Sequence, residues 1–379
     1  MPRPALPPFR IGIDARKLGD YGIGEYLWNL ILHLHRLAPE HHYVLLHQSP
    51  PPGALPRPAE WVWDGSGKYS LREQISLPWH AWRRGMHLLH CPHYVVPVAM
   101  PVLRPCPLVV TIHDLIHLKF GQYWSLPARQ YARFMLGRAV AGAAHILADS
   151  EGAKRDIVER LGARPERVTV AYLGTGEAFR PVADPAALAG VRARYGLDGP
   201  FVLFVGNARM RHKNVVTLAR ALRLLPGRGT GAVTLAITGG ELPPDVRAQL
   251  TDAAGPAAPR LRFTGFVEEA HLPALYSAAA AFVWPSLYEG FGIPPVQAMA
   301  CGTPVVSSNS SVMPEILGAA ALFVPPLEPE AWAEAIARVL EDSALRARMA
   351  AQGRAQAARY SWDETARKTL QVYEAVLKG

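Results

Sequence analysis

At 379 residues, half of them hydrophobic and 19% charged, the chain exceeds what one core usually organises and reads as two domains; no stretch approaches the roughly 18 uninterrupted apolar residues of a membrane-spanning helix. The first ten residues hold four prolines and no apolar stretch, and the three cysteines, Cys91, Cys106 and Cys301, lack C-x-x-C spacing, so neither a secretory signal nor a disulfide or zinc framework is expected and the cytoplasm fits best. The net charge of +9 is uneven: residues 1–180 carry 21 Lys/Arg against 14 Asp/Glu, or +7, and the remainder 19 against 17, or +2. A basic first half suits an anionic surface or a phosphorylated acceptor, whereas no aromatic–basic nucleic-acid module is present, so no nucleic acid partner is expected.

Along the chain, Ile11–Ile13 is a short apolar run followed by a Gly-rich turn, Gly19 to Gly24, and a helical pattern of Leu27, Leu30, Ile31, Leu34 and Leu37. Apolar runs at 43–46, 87–89, 108–112 and 145–148 then alternate with helical stretches at 129–141 and 152–161. This alternation predicts a parallel sheet covered by helices. After a Pro/Ala-rich stretch, 179–187, the pattern restarts with strands expected at 201–205, 233–238, 262–264, 281–284 and 304–307. The closing segment, Trp362 to Leu377, has the spacing of one amphipathic helix and need not pack on the domain before it. The expectation is an α/β chain of two Rossmann-like domains, 1–176 with the last helix (361–379), and 188–360. Ligands of open α/β sheets bind at the carboxyl ends of the strands, and a cleft between the domains is the expected site.

Two loops carry most of the chemistry. Val205 to Asn214 places Arg209, Arg211 and Lys213 just before a helix beginning near Val215. Cations oppose the positive end of a helix dipole, so an anion is expected to offset them; a diphosphate fits, and a solvated basic turn is the plainer alternative. In the second loop, Pro285 to Pro304, Gly290 and Gly292 bracket Phe291, prolines open a helix and Gly302 suits its end. Glu289 then sits ahead of that helix, able to accept from sugar hydroxyls, with Gln297 about a turn inside. No D-x-D sequence occurs, so no metal is expected on the diphosphate. The histidine series His87, His90, His93 and His113, His117 reads as structural, or as one residue near a sugar, rather than as zinc ligands. Lys68 to Arg84 mixes tryptophan with arginine. It reads as an ordinary helix, with peripheral contact on an anionic membrane, at its inner face, as the alternative.

Pro285–Pro304 resembles the signature of glycosyltransferase family 4, retaining enzymes of the GT-B fold, and Val205–Asn214 resembles the diphosphate loop of that family. Gly12–Arg16 with Gly22–Gly24, Thr111–Leu115, Leu147–Ser150, Gly265-Phe266-Val267 and Ser361-Trp362 agree, in the same order. The resemblance implies that Lys213 with Arg211 or Arg209 holds the donor diphosphate and that Glu289 holds the sugar hydroxyls. It also implies that the N–H groups of Phe291 and Gly292 meet sugar and phosphate, that Gly24 presents its N–H to the phosphates, and that His113 faces the reacting sugar. Gly206, Gly290, Phe266 and Val267 fall on the same donor side. The signature E-x7-E reads Glu289-x7-Gln297 here, so the residue expected on the nucleotide ribose is an amide. The implied activity is retaining transfer of a hexose from a UDP- or GDP-linked sugar, with no further cofactor, to a sugar, glycan or lipid-linked acceptor. A sugar-nucleotide epimerase or hydrolase, and a non-catalytic sugar-nucleotide-binding relative, are the alternatives.

Overall fold

The computed structural model describes residues 8–20, 22–48, 59–67, 70, 72–103, 105–225 and 233–378. Residues 1–7, read above as lacking a secretory signal, and Lys68, Tyr69 and Leu71 of the Trp/Arg stretch lie outside them. The chain divides into two compact units, Met1–Gly174 with Ser361–Gly379, and Thr175–Tyr360.

The first unit holds a seven-stranded sheet of β1 (Arg10–Asp14), β2 (His42–His47), β3 (Ala59–Trp63), β4 (Leu88–Cys91), β5 (Leu108–Ile112), β6 (His145–Ala148) and β7 (Val168–Val170), in the order β3-β2-β1-β4-β5-β6-β7. Every pairing is parallel. Central strands such as β4 and β5 are buried along their whole length, as expected of a sheet covered on both faces. The second unit holds β8 (Phe201–Val205), β9 (Thr234–Thr238), β10 (Leu261–Gly265), β11 (Ala281–Trp284), β12 (Val305–Ser308) and β13 (Ala321–Val324), in the order β10-β9-β8-β11-β12-β13. This is the doubly wound arrangement, and its strand order reverses between β8 and β11. Three strands have no counterpart in the sequence reading: β3, β7 and β13, each at the edge of a sheet.

The last helix, Trp362–Lys378, belongs to the first unit, where it packs on the helix Ile23–Leu37. Its apolar stripe of Trp362, Ala366, Leu370 and Tyr373 is buried, which is what its amphipathic spacing requires. The Thr365 hydroxyl donates to the Tyr172 carbonyl at 2.6 Å, and the Tyr373 hydroxyl lies 2.7 Å from Nδ1 of His90. Among the described residues no helix is long and apolar enough to cross a membrane.

The entry of this helix is set by Gly174. A Cβ there would lie 2.2 Å from the backbone N of Trp362 and 2.5 Å from the carbonyl carbon of Ser361, so the two stretches of backbone can touch only without a side chain. Gly137, inside the helix Leu126–Gly142, has open space around it. Gly174→Ala is expected to destabilise the protein by about 2 kcal/mol or more, lowering Tm by roughly 4–8 °C, while Gly137→Ala is neutral or stabilising by up to about 1 kcal/mol. Thermal unfolding of the two variants side by side checks this; equal Tm values would refute the close approach.

Candidate functional site

The strand order of the second sheet reverses between β8 and β11, where ligands of open α/β sheets bind, and the loops leaving these two strands carry the basic turn and the acid. The β8 loop runs from Gly206 through a short 3-10 turn, Arg211–Lys213, to Asn214, which caps the helix Val215–Leu224 in a left-handed conformation (φ 55°). Asn214 ties the loops together, its amide donating to the carbonyls of Pro285 (3.2 Å) and Pro326 (2.6 Å) while its Oδ1 accepts from the Thr217 hydroxyl at 2.9 Å. The β11 loop answers with the Leu287 N–H on the His212 carbonyl at 2.8 Å.

Lys213 and Glu289 meet where these loops are stitched. Nζ of Lys213 donates to Oε1 of Glu289 at 2.7 Å and stands 4.6 Å from the ring centroid of Trp284. Both side chains are largely shielded, 17% and 12% exposed. Arg209 and Arg211 lie exposed on the same turn. The sequence reading assigned the compensating anion for this turn to a bound diphosphate; here Glu289 supplies it for Lys213. Ser311, which sequence reasoning did not single out, holds the acid in place: its hydroxyl donates to the Glu289 carbonyl at 2.9 Å and accepts from the Glu289 N–H at 3.3 Å.

Beyond Glu289 the chain turns through Gly292 (φ 95°) into the helix Ile293–Ala300, with Pro294 and Pro295 in its first turn. A Cβ on Gly292 would lie 2.7 Å from the Met313 methyl, so space and backbone both demand glycine. Phe291 is buried edge-on against Tyr360, ring centroids 5.3 Å apart. Gln297 is also buried, and its Oε1 accepts from the Tyr276 hydroxyl at 3.1 Å. Gly206 follows β8, and Phe266, 61% exposed, and buried Val267 follow the carboxyl end of β10.

In the first unit, His113 follows β5. Its Nδ1 lies 2.8 Å from Oδ2 of Asp149, its Nε2 lies 3.1 Å from the Pro92 carbonyl oxygen, and the Tyr26 ring stands edge-on at 4.9 Å. Burial is the largest influence on His113 and works against the imidazolium, but the Asp149 carboxylate, with smaller help from Asp114 and the Pro92 carbonyl, raises the His113 pKa on balance, while burial raises that of Asp149. The pair therefore holds its proton to higher pH than a free imidazole. Asp149 was visible as part of a motif, but its partnership with His113 was not. His90 is a different case: burial, with a smaller contribution from His113, lowers its pKa to about 3, and its two nitrogens face Tyr373 and the Thr111 hydroxyl. His87 Nδ1 accepts from the Arg10 N–H at 2.8 Å, so these histidines are occupied structurally. No group of three metal-ligating side chains occurs among the described residues.

The Gly24 N–H donates to the Asp20 carbonyl at 2.7 Å, at the start of the helix Ile23–Leu37.

Known proteins place this architecture. The family model described as Glycosyltransferase Family 4 matches residues 21–176, and that described as Glycosyl transferases group 1 matches residues 192–356. The O-antigen chain mannosyltransferase B of Escherichia coli is 30% identical over 290 residues, covering 76% of this chain and 74% of that protein. A D-inositol 3-phosphate glycosyltransferase of Salinispora tropica is 34% identical over 291 residues, 71% of this chain and 59% of the relative. The chain spans about a third of another relative, the serotype-specific mannosyltransferase WbdA of Escherichia coli, 28% identical over 280 residues, 73% of this chain and 34% of that protein. The fold is shared with sucrose-phosphate synthase of Thermosynechococcus elongatus (TM-score 0.78, 24% identity, 98% of this chain and 99% of the other). It is shared equally with Anabaena HepE in complex with UDP-glucose (TM-score 0.76, 20% identity, 98% and 100%). From its two parallel sheets to its matched motifs, the chain belongs to the group 1, family 4 glycosyltransferases of GT-B fold.

Proposed function

We propose that this glycosyltransferase takes a hexose from a UDP- or GDP-linked sugar and transfers it, with retention of configuration and without a metal, to a hydroxyl of a sugar, glycan or lipid-linked acceptor. The observation that carries this reading is the shielded Lys213–Glu289 pair beside the strand-order reversal of the second sheet. A ligand that separates this pair has to present an anion to Lys213 and hydroxyl donors to Glu289, and a sugar diphosphate offers both. Arg211 or Arg209 adds a second cation, and the backbone at Gly290, Phe291 and Gly292, whose chain direction is set by the glycines, approaches sugar and phosphate closely. Gly206, Phe266 and Val267 complete the donor side. Gly24 contributes its N–H only if the turn at Asp20 opens.

In the proposed step the bond between the anomeric carbon and the diphosphate oxygen breaks while the acceptor oxygen bonds to that carbon on the same face. The acceptor proton passes to the departing diphosphate. Charge builds on the leaving oxygens, and fixed cations there act as preorganised stabilisers. His113, oriented by Asp149, is assigned to the reacting sugar. Gln297 is assigned to the ribose, for which its amide must turn from Tyr276.

Lys213→Ala is expected to lower kcat by at least about tenfold, the scale of one charge-stabilising group. Steady-state transfer assays check this, and near-normal turnover would remove the proposed role. Gln297→Glu adds a charge-assisted acceptor and is expected to tighten donor binding by about tenfold in calorimetric titration; unchanged affinity would leave Gln297 a packing residue. For His113, removing the Asp149 carboxylate takes away the largest raising influence and leaves burial opposed only by Asp114 and the Pro92 carbonyl. In Asp149→Asn the imidazole pKa is expected to drop below the ordinary value of about 6.5, read by NMR titration. Because the folded-state pKa of His113 is raised, the stability it contributes is present below about pH 6.5 and lost as pH rises through the raised value. The variant should lose that dependence, and an unshifted His113 would show that Asp149 does not govern it.

A further inference from the structure

Exposed apolar side chains are concentrated on one part of the first unit. Thirteen large hydrophobic side chains are exposed among the described residues, and nine of them lie between Ile75 and Phe134. The helices Glu73–Arg83 and Leu126–Gly142 bury Leu77, Ala81, Ala132, Met135, Leu136 and Ala139 in one shared core. The segment between them is bonded to both: Gln74 Oε1 accepts from the Val98 N–H at 2.7 Å, and Arg138 donates to the Val98 carbonyl at 3.2 Å. The two helices therefore cover the same face of the sheet, and their outer stripes belong to one surface.

Those stripes invert the usual pattern of a water-facing helix. The first presents Ile75, Trp79 and Trp82 (72% exposed) with Arg83, whose guanidinium lies 5.2 Å from the Trp79 ring centroid. The second presents Leu126, Tyr131 and Phe134 (57% exposed) with Arg129 and Arg133. From Gln74 to Ala148 the chain carries seven Lys/Arg and a single acidic residue, Asp114. Single exposed hydrophobic side chains are ordinary, but a clustered set marks a surface that something covers.

Charge selects the occupant. A second copy, packed face to face about a two-fold axis, would set the same cations against each other. A layer of anionic headgroups over hydrocarbon satisfies arginines and indoles together, since tryptophan settles at that boundary and each basic residue adds attraction. We propose that this face docks the protein on an anionic phospholipid bilayer, with the indoles and Phe134 entering the headgroup zone and Arg83, Arg129 and Arg133 meeting lipid phosphates. The Trp/Arg stretch read from the sequence is one half of this surface; the helix Leu126–Gly142 is the other.

The test is co-sedimentation of the full chain with vesicles of phosphatidylcholine alone or mixed equally with phosphatidylglycerol. Binding to the mixed vesicles only, weakened by added salt, is expected. The double variants Trp82→Ser/Phe134→Ser and Arg129→Gln/Arg133→Gln should each bind about tenfold or more weakly. Failure to bind the mixed vesicles, equal binding to neutral ones, or wild-type binding by both variants would overturn the proposal. So would light scattering that finds a dimer which Trp82→Ser/Phe134→Ser dissociates, since the face would then belong to a second copy.

Discussion

The second unit is organised around an ion pair that is largely shielded from water. Lys213 and Glu289 sit 2.7 Å apart over the Trp284 ring, and removing either partner from such a pair leaves a charge with little water to screen it, at a cost of several kcal/mol. This restricts what can bind: an anion alone would release Lys213 but strand the carboxylate, and a neutral sugar alone would do the reverse. On the proposed reading, a ligand with negative charge and hydroxyl donors side by side exchanges the pair without leaving a remainder. The contacts of Asn214, Leu287 and Ser311 then have a clear purpose, because they hold two loops from separate strands at the separation the pair requires.

The first unit solves a different problem with the same sheet topology. Its β1 loop is fixed by Arg16, 4% exposed, which makes two 2.7 Å bonds to Asp14, one of 2.8 Å to Glu73 and one of 3.1 Å to the Ser66 hydroxyl. A buried network of this kind holds geometry more than it adds stability. It joins the end of β1 to the first turn of the helix Glu73–Arg83, so the Gly-rich turn and the outer helix share one anchor. On the other side of the sheet reversal, His113 is gripped by Asp149, Pro92 and Tyr26. Both arrangements use burial to make a few polar contacts decisive, where in the second unit shielding sets apart one charge pair.

What could be read in advance follows from burial. Strands flanked on both sides, such as β5, β6, β8 and β11, are continuous apolar runs, and the sequence reading placed them at the observed residues. The missed strands are edges: β3, β7 and β13 are only partly buried; Glu60 in β3 and Thr169 in β7 interrupt the apolar run, whereas β13, Ala321–Val324, is apolar throughout but only four residues long. Site chemistry divides in the same manner. Lys213 and Glu289 are legible because glycines, prolines and cations flank them in sequence. Their contact across 76 residues, the Ser311 clamp 22 residues on, and the bond of Asp149 to His113 depend on which strands are neighbours, which no local pattern contains. Gly24 shows the converse: its motif is plain, but a single backbone bond to Asp20 decides where its N–H points.

Net charge illustrates the same limit from another side. The first 180 residues carry an excess of seven positive charges and the rest an excess of two, which suggests that anion binding belongs to the first unit. Yet the nearly neutral second unit contains the turn with Arg209, Arg211 and Lys213. The cations of the first unit go elsewhere: Arg16 is enclosed by carboxylates, while Arg83, Arg129 and Arg133 lie on outer helix faces beside exposed aromatic rings. A surface charge acts over about a Debye length, near 8 Å at physiological ionic strength, so an excess spread over a helix face attracts an extended anionic surface. A single phosphate group needs cations gathered at one point and partly dried, as Lys213 is. Charge therefore has to be weighed by where it is placed and how well it is shielded, and on that measure the two units are suited to different anions.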